Sequence, residues 1–310
     1  MTLILLLLVL VTERVALQGT KWHVTPYLTW YLDKLLPKFF RKDTESPAIL
    51  LFVALPAVSI GLLLYFIDIG LIEFAANLVV LAVIIGNTEV RAFYRQYLNA
   101  ENRNDVEAMN LLQSELSEQG FATNVQATTN TSDSAPENAE QEVVQTEATE
   151  ELAETVTIVP EPKPLSESLI WCNFKYYAAP IFYFVIFGLP GIVFYATALY
   201  LFESKSLKNR LPDNVISTLK AWNEWMFWLP ARFVSVGFMF VGHFSNGLES
   251  YLKLAANFSV PAYQMITEVA HAAEGGHPQS NEKNMVKLAK RNMALFVVVV
   301  ALLTLYGYIV

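Results

Sequence analysis

Cysteine is almost missing from this 310-residue chain, and the one present, Cys172, excludes an intramolecular disulfide and any cysteine-based metal cluster within one copy. Charge is scarce too. Asp, Glu, Lys and Arg make up 16% of the residues, against about 25% in ordinary globular domains, which is too little to coat a soluble body of this size. Also absent are a phosphate-binding glycine loop, a His-Glu-x-x-His pair, a Gly-x-Ser-x-Gly elbow and any zinc-ligand spacing, which removes the commonest motif-borne catalytic classes. The four histidines, His23, His243, His271 and His277, are scattered along the chain. They read as isolated surface or interface side chains, so neither a metal nor another cofactor is expected.

What fills the chain instead is hydrocarbon, with 54% hydrophobic residues and a mean hydropathy of +0.36. A bilayer core about 30 Å thick takes roughly 20 apolar residues per helix, and several stretches reach that length without an internal Lys or Arg. The fold class that follows is all-α: a polytopic integral membrane helical protein with amphipathic cytoplasmic or interfacial helices and a disordered acidic loop. The lipid bilayer is its first partner.

The net charge of -8 is concentrated in one place. Residues 104–161 contain 13 of the 29 acidic residues and no Lys or Arg, so the rest carries 21 basic against 16 acidic residues. A mildly basic body suits loops held beside an anionic cytoplasmic leaflet and gives no reason to expect a nucleic-acid partner.

Three regions follow. Residues 1–100 form an N-terminal membrane region. Thr2 to Leu17 reads as a first helix with Glu13 and Arg14 near its end, and the lack of a basic flank and of a small-residue cleavage site reads as a retained segment. After the cations Lys34, Lys38, Arg41 and Lys42, a helical hairpin is expected at about 47–67 and 69–87, followed by Arg91, Arg95 and Arg103. Cations on both flanks place both flanks in the cytoplasm. Residues 101–165 hold a short cytoplasmic helix capped by Asp105, then a Thr/Glu/Gln/Asn/Pro-rich stretch too polar to bury a core. Residues 166–310 form a C-terminal membrane region. There Gly188-Leu189-Pro190-Gly191 kinks or reverses one apolar helix, Trp225 to Phe244 reads equally as a span or a buried helix, and two amphipathic helices divided near Pro261 lie at the membrane surface. The segment from Met293 starts on the cytoplasmic side.

Polar groups inside apolar segments are the candidate functional residues, because an unpaired charge in hydrocarbon costs at least ~2.5 kcal/mol and is normally paired or lines a cavity. They are Glu13, Arg14, Glu73, Asn77, Lys175, Glu224 and Arg232. Glu73 and Asn77 share a helix face, and Arg232 is expected to pair with an acid such as Glu13 or Glu224. Trp222, Trp225, Phe227 and Trp228 suit an interfacial aromatic belt. Arg91, Tyr94, Arg95, Tyr97, Asn102, Arg103 and Asp105 form the densest polar set. They serve either as topology anchors or as a site for an anionic ligand or partner, since guanidinium groups favour carboxylate and phosphate.

The order Ala179-Pro180-Ile181-Phe182-Tyr183, Gly188-Leu189-Pro190-Gly191, Tyr195 and Trp228-Leu229-Pro230-Ala231-Arg232-Phe233 resembles the CobD/CbiB superfamily of membrane proteins. Within it, Arg103-Asn104-Asp105, Phe174-Lys175-Tyr176-Tyr177, Val241-Gly242-His243 and the Val297 to Tyr306 tail are similar to the AmpE family. That resemblance implies a regulatory or accessory protein of the bacterial inner membrane, linked to β-lactamase induction and cell-wall signalling. Cell-wall recycling or β-lactamase regulatory proteins would be its partners, with the oligomeric state undefined. It also makes Pro180, Gly188, Pro190, Gly191 and Pro230 scaffold residues for helix bending and packing.

The superfamily's enzymatic branch is an ATP-dependent amide ligase of cobalamin biosynthesis with acidic and amide residues around the same motifs. This chain carries Trp171, Cys172 and Lys175 before the Ala-Pro, and Leu199, Tyr200, Leu201 and Phe202 after the tyrosine, so a non-enzymatic role is expected and no catalytic residue is assigned. A ligase-like enzyme using Arg91, Arg103, Asp105, Glu224 and Arg232 is the alternative. A small-molecule transporter lined by Glu73, Asn77 and Arg232 is a further one.

Overall fold

The computed structural model describes residues 2–15, 27–32, 34, 46–66, 70–85, 88–116, 164–204, 213–275 and 282–307. Among them there is no strand. The helices are α1 Thr2–Val15, α2 Ser46–Phe66, α3 Gly70–Ile84, α4 Thr88–Asn102, α5 Val106–Leu116, α6 Leu165–Asn173, α7 Ala179–Glu203, α8 Asp213–Val241, α9 Phe244–Ala255, α10 Ala262–Glu274 and α11 Glu282–Leu305. A π-helical turn, Phe174–Ala178, joins α6 to α7 without a break. The acidic stretch expected to be disordered lies outside the described residues, as do His23, His277 and the side chains of Glu13 and Arg14 at the end of α1.

The centre of the fold is the α6–α7 segment, and it folds back on itself. Gly188 has φ 66° and ψ −153°, a conformation reserved for glycine, and Pro190 two residues on cannot supply a helical N–H. The consequence is visible in the contacts. Gly191 packs against Phe187 and the Tyr183 carbonyl, the Tyr183 and Tyr195 rings stack with centroids 5.2 Å apart, and Lys175 forms an ion pair with Glu203. The Phe187–Gly191, Tyr183–Tyr195 and Lys175–Glu203 pairs are each centred on residue 189, as two antiparallel legs require. In a straight helix Lys175 and Glu203 would stand about 40 Å apart at 1.5 Å per residue. The kink-or-reversal at Gly188 is therefore a reversal.

The other helices surround this hairpin. Helix α2 packs on α7 and α8, and α3 packs on α1 and α7. Helix α8 lies against α7, α9, α10 and α11, while α6 meets α10 and α11. The main core gathers Trp171, Phe174, Tyr195, Phe227, Phe238 and Met265, and a second gathers Leu5, Leu6, Leu81, Ile181, Leu189 and Ile192. Backbones approach closely where α8 meets α11. There Gly237 leaves room for Asn292, whose Nδ2 donates to the Val234 carbonyl at 3.0 Å.

By length and composition, two described segments are apolar enough to cross a membrane, Leu165–Glu203 and Lys283–Leu305, with shorter apolar helices at Leu50–Phe66 and Gly70–Ile84. The first of these is the reversing pair of legs. Large apolar side chains such as Leu7, Leu51, Leu62, Leu71, Phe187 and Leu302 face outward on α1, α2, α3, α7 and α11.

Two expectations need correction. Phe227 does not join an aromatic belt: it is fully buried, in edge contact with Trp171 and Phe174, whereas Trp225 is 73% exposed. The two amphipathic helices after Ser245 also differ in kind. Helix α9 buries only Gly247 and Leu254, a surface helix, but α10 buries Tyr263, Met265, Ile266, Val269, Ala270 and Ala273 and belongs to the core.

Candidate functional site

Sequence spacing puts Arg91, Tyr94 and Arg95 on one face of α4. The fold turns that face toward α6, the π-turn and α11, enclosing a cavity of about 550 Å³, within the ordinary range for a small-molecule site of roughly 300–1,000 Å³. Its cations are Arg91, Arg95 and Lys290; its hydroxyls come from Tyr94, Tyr176 and Tyr177; its apolar wall includes Leu10, Leu169, Ile170 and Met293. Among the described residues, no Asp or Glu lines it. Three positive groups around the cavity favour an anion there.

Beneath this cavity lies a polar cluster. The π-turn widens the helix at Phe174–Ala178, a distortion that recurs at functional sites, and buries the Lys175 side chain to 3% exposure beside Glu203. Tyr176 lines the cavity and donates its hydroxyl to Glu203 Oε2 at 3.0 Å, linking the two features. Tyr195 donates to the Lys175 carbonyl at 2.7 Å. Lys175, read from sequence as a polar group in an apolar segment with no partner named, has Glu203 on the returning leg. Glu203 was missed because it closes an apolar run and nothing local marks its partner.

A second cluster that sequence reasoning missed joins α6 to α10. Tyr263 donates to Glu167 Oε2 at 2.7 Å, and His271 Nε2 stands 3.5 Å from Glu167 Oε1. Burial first, then the Glu167 charge and the hydrogen bond to it, push the Tyr263 phenol above its ordinary value. Among the described residues, no group of three or more His, Cys, Asp or Glu is placed to hold a metal.

The remaining candidates disperse. Asn104 takes a left-handed φ of 54°, and Asp105 caps α5 by accepting from the Ala108 N–H at 3.0 Å, so these two residues build the α4–α5 turn. Arg103 and Asn102 are exposed there, while Tyr97 is buried under α4. Arg91 lies three helical turns from Arg103, and the dense polar set divides into a cavity half and a turn half. Glu73 is exposed and Asn77 half-buried on α3, neither lining the cavity.

Arg232 does not take the expected acid: its guanidinium lies 3.8 Å from the Trp228 ring centroid, with Nη1 donating to the Trp228 carbonyl at 3.2 Å. The i, i+4 spacing on α8 places that ring under it. Glu224 sits half-buried two turns earlier on the same helix. Of the scaffold residues, Pro180 and Gly191 are buried, Pro190 packs on Gly61 of α2, and Pro230 is buried within α8.

A family model described as "Regulatory signalling modulator protein AmpE" matches residues 1–130 and 118–310. The protein AmpE of Shigella flexneri is 28% identical over 326 residues, covering 100% of both chains. No solved structure matches.

Proposed function

The chain belongs to the AmpE family of regulatory signalling modulators, and from that premise we propose that it is a multi-pass protein of the bacterial inner membrane. In this reading it modulates β-lactamase induction and cell-wall signalling without catalysing a reaction. Its partners are cell-wall recycling or β-lactamase regulatory proteins at the cytoplasmic face, and its scaffold descends from the CobD/CbiB superfamily through the Ala179-Pro180, Gly188 to Gly191 and Pro230-Ala231-Arg232 motifs. The outward apolar faces of α1, α2, α3, α7 and α11 support burial in lipid, since soluble monomers rarely expose apolar patches beyond a few hundred Å².

The observation that carries the functional reading is the cavity among α1, α4, α6 and α11, whose described lining holds three cations and no carboxylate. Such a site binds and reports an anion. Its described lining offers no carboxylate to hold Mg²⁺ or move a proton, and of the residues of the ligase and transporter readings only Arg91 lines it. Deleting the gene in a host with inducible β-lactamase should alter induction by a β-lactam. Complementation with the wild-type chain should restore it, and Arg91→Gln/Arg95→Gln should not. An unchanged response in the deletion strain would refute the regulatory reading.

A further inference from the structure

We infer that Asn223 anchors a hydroxyl-binding site where α2, α7 and α8 meet, taking a single O–H group that comes either from water or from an alcohol with an apolar body. The inference concerns a different place in the fold from the cavity above and is independent of the regulatory reading.

Asn223 is 2% exposed, and among the described residues neither its Oδ1 nor its Nδ2 has a hydrogen-bond partner. A carboxamide brings one acceptor oxygen and two N–H donors. Buried groups of this kind are satisfied in the large majority of proteins, by the chain or by ordered water, because leaving them unmade carries their full desolvation penalty.

The second observation is space. Asn223 lines a cavity of about 20 Å³, and about 10–15 Å³ is enough to admit one water-sized group. Its walls include Leu50 and Val53 of α2, Ala198 of α7, and Trp222 and Met226 of α8. Leu50 and Trp222 are 38% and 37% exposed, so the cavity lies just beneath the outer surface between α2 and α8.

The lining selects the occupant. No described lining residue is charged, and an ion there would lose its hydration without gaining a counter-charge. A hydrocarbon chain would leave both amide atoms as they are. One O–H group answers both at once: its proton goes to Oδ1 while its oxygen accepts from Nδ2–H. The volume admits one such group at the amide, so the apolar body of an alcohol would stay at the Leu50 and Trp222 rim. The site also adjoins the hairpin, because the Met226 carbonyl accepts from the Tyr183 hydroxyl at 3.0 Å and the Tyr183 ring stacks on Tyr195.

The test labels the asparagines of the full chain with nitrogen-15 in an uncharged detergent and follows their side-chain amide signals. The Asn223 signal is the one lost in Asn223→Leu; if that variant fails to fold, Trp222→Phe identifies it through the changed ring current beside it. With water as the occupant, its protons should show a rotating-frame Overhauser cross-peak at the water frequency. With an alcohol as the preferred occupant, added hexanol should shift the signal saturably and bring cross-peaks to the hexyl chain, and hexane should do neither. Ala198→Val, which adds bulk to the cavity wall, should abolish the cross-peak while the Asn223 signal remains.

No water cross-peak together with a signal unmoved by hexanol would show a dry amide and overturn the proposal. A water cross-peak of chemical-exchange sign would overturn it too, since it reports an amide open to bulk solvent. An undiminished cross-peak in Ala198→Val would place the occupant outside the cavity, with the same consequence. Ser46 lies one turn before Leu50 on α2; loss of the cross-peak in Ser46→Ala would make the hydroxyl the chain's own and refute a bound one.

Discussion

The ion pair between Lys175 and Glu203 gives a direct test of the reversal at Gly188, because the two residues meet only if the chain turns back. Lys175→Met strands the Glu203 carboxylate with the Tyr176 hydroxyl as its remaining partner. Removing one member of a buried pair costs about 3–5 kcal/mol. Glu203 keeps 21% exposure, so the loss should fall near the lower end, about 3 kcal/mol. Glu203→Gln removes the counter-charge of Lys175, which is only 3% exposed, and should cost about 4 kcal/mol by the same reasoning. The double variant removes both charges and should recover about 2 kcal/mol of the summed loss, within the range seen for residues in direct contact. On a straight helix the pair would be about 40 Å apart, several screening lengths, and the coupling would vanish. Unfolding of the full chain by a denaturing detergent, measured for the wild type, two single variants and the double, yields the coupling. Strict additivity of the two single losses would refute the hairpin.

Three further outcomes follow from local geometry. Gly188→Ala forces a Cβ onto a φ of 66° with only Pro190 Cδ near it, at 3.9 Å, so the cost is backbone strain of about 1–3 kcal/mol, read as a lowered Tm. Gly237→Ala drives a methyl group into Asn292 Oδ1 and should cost about 1–3 kcal/mol; Asn292→Ala on that background should return part of the loss, and no recovery would mean the clash lies elsewhere. Tyr263 holds its proton more tightly folded than unfolded, so its contribution is complete below about pH 10, where the unfolded phenol begins to ionise, and is lost as pH rises further. Alkaline unfolding of Tyr263→Phe should therefore show a shallower decline than the wild type, and identical slopes would contradict the assignment.

The sequence by itself determined what depends on local chemistry. The helical class, the apolar runs and the cationic segments that flank them all follow from composition and spacing within a few turns. Asp105 as a cap was readable because capping involves only its own neighbours, and helical periodicity alone puts Arg91, Tyr94 and Arg95, three of the seven residues of the dense polar set, on one face.

Tertiary structure decided everything that pairs distant residues. Gly188 with Pro190 signals a break, but the sign of φ at one glycine separates a kink from a reversal, and packing of both legs against α2, α3 and α8 selects the reversal. That selection gives Lys175 its partner in Glu203. The same cause divides the dense polar set: a helix carries Arg91 and Arg103 to different neighbours three turns apart, so only the first meets α6 and α11. Arg232 took the aromatic ring one turn away over a distant acid, because a contact fixed by the helix itself needs no second element to be brought into place. Phe227 reads like its neighbours Trp225 and Trp228 by composition, and went to the core because side-chain direction on α8 is set by what packs on that helix.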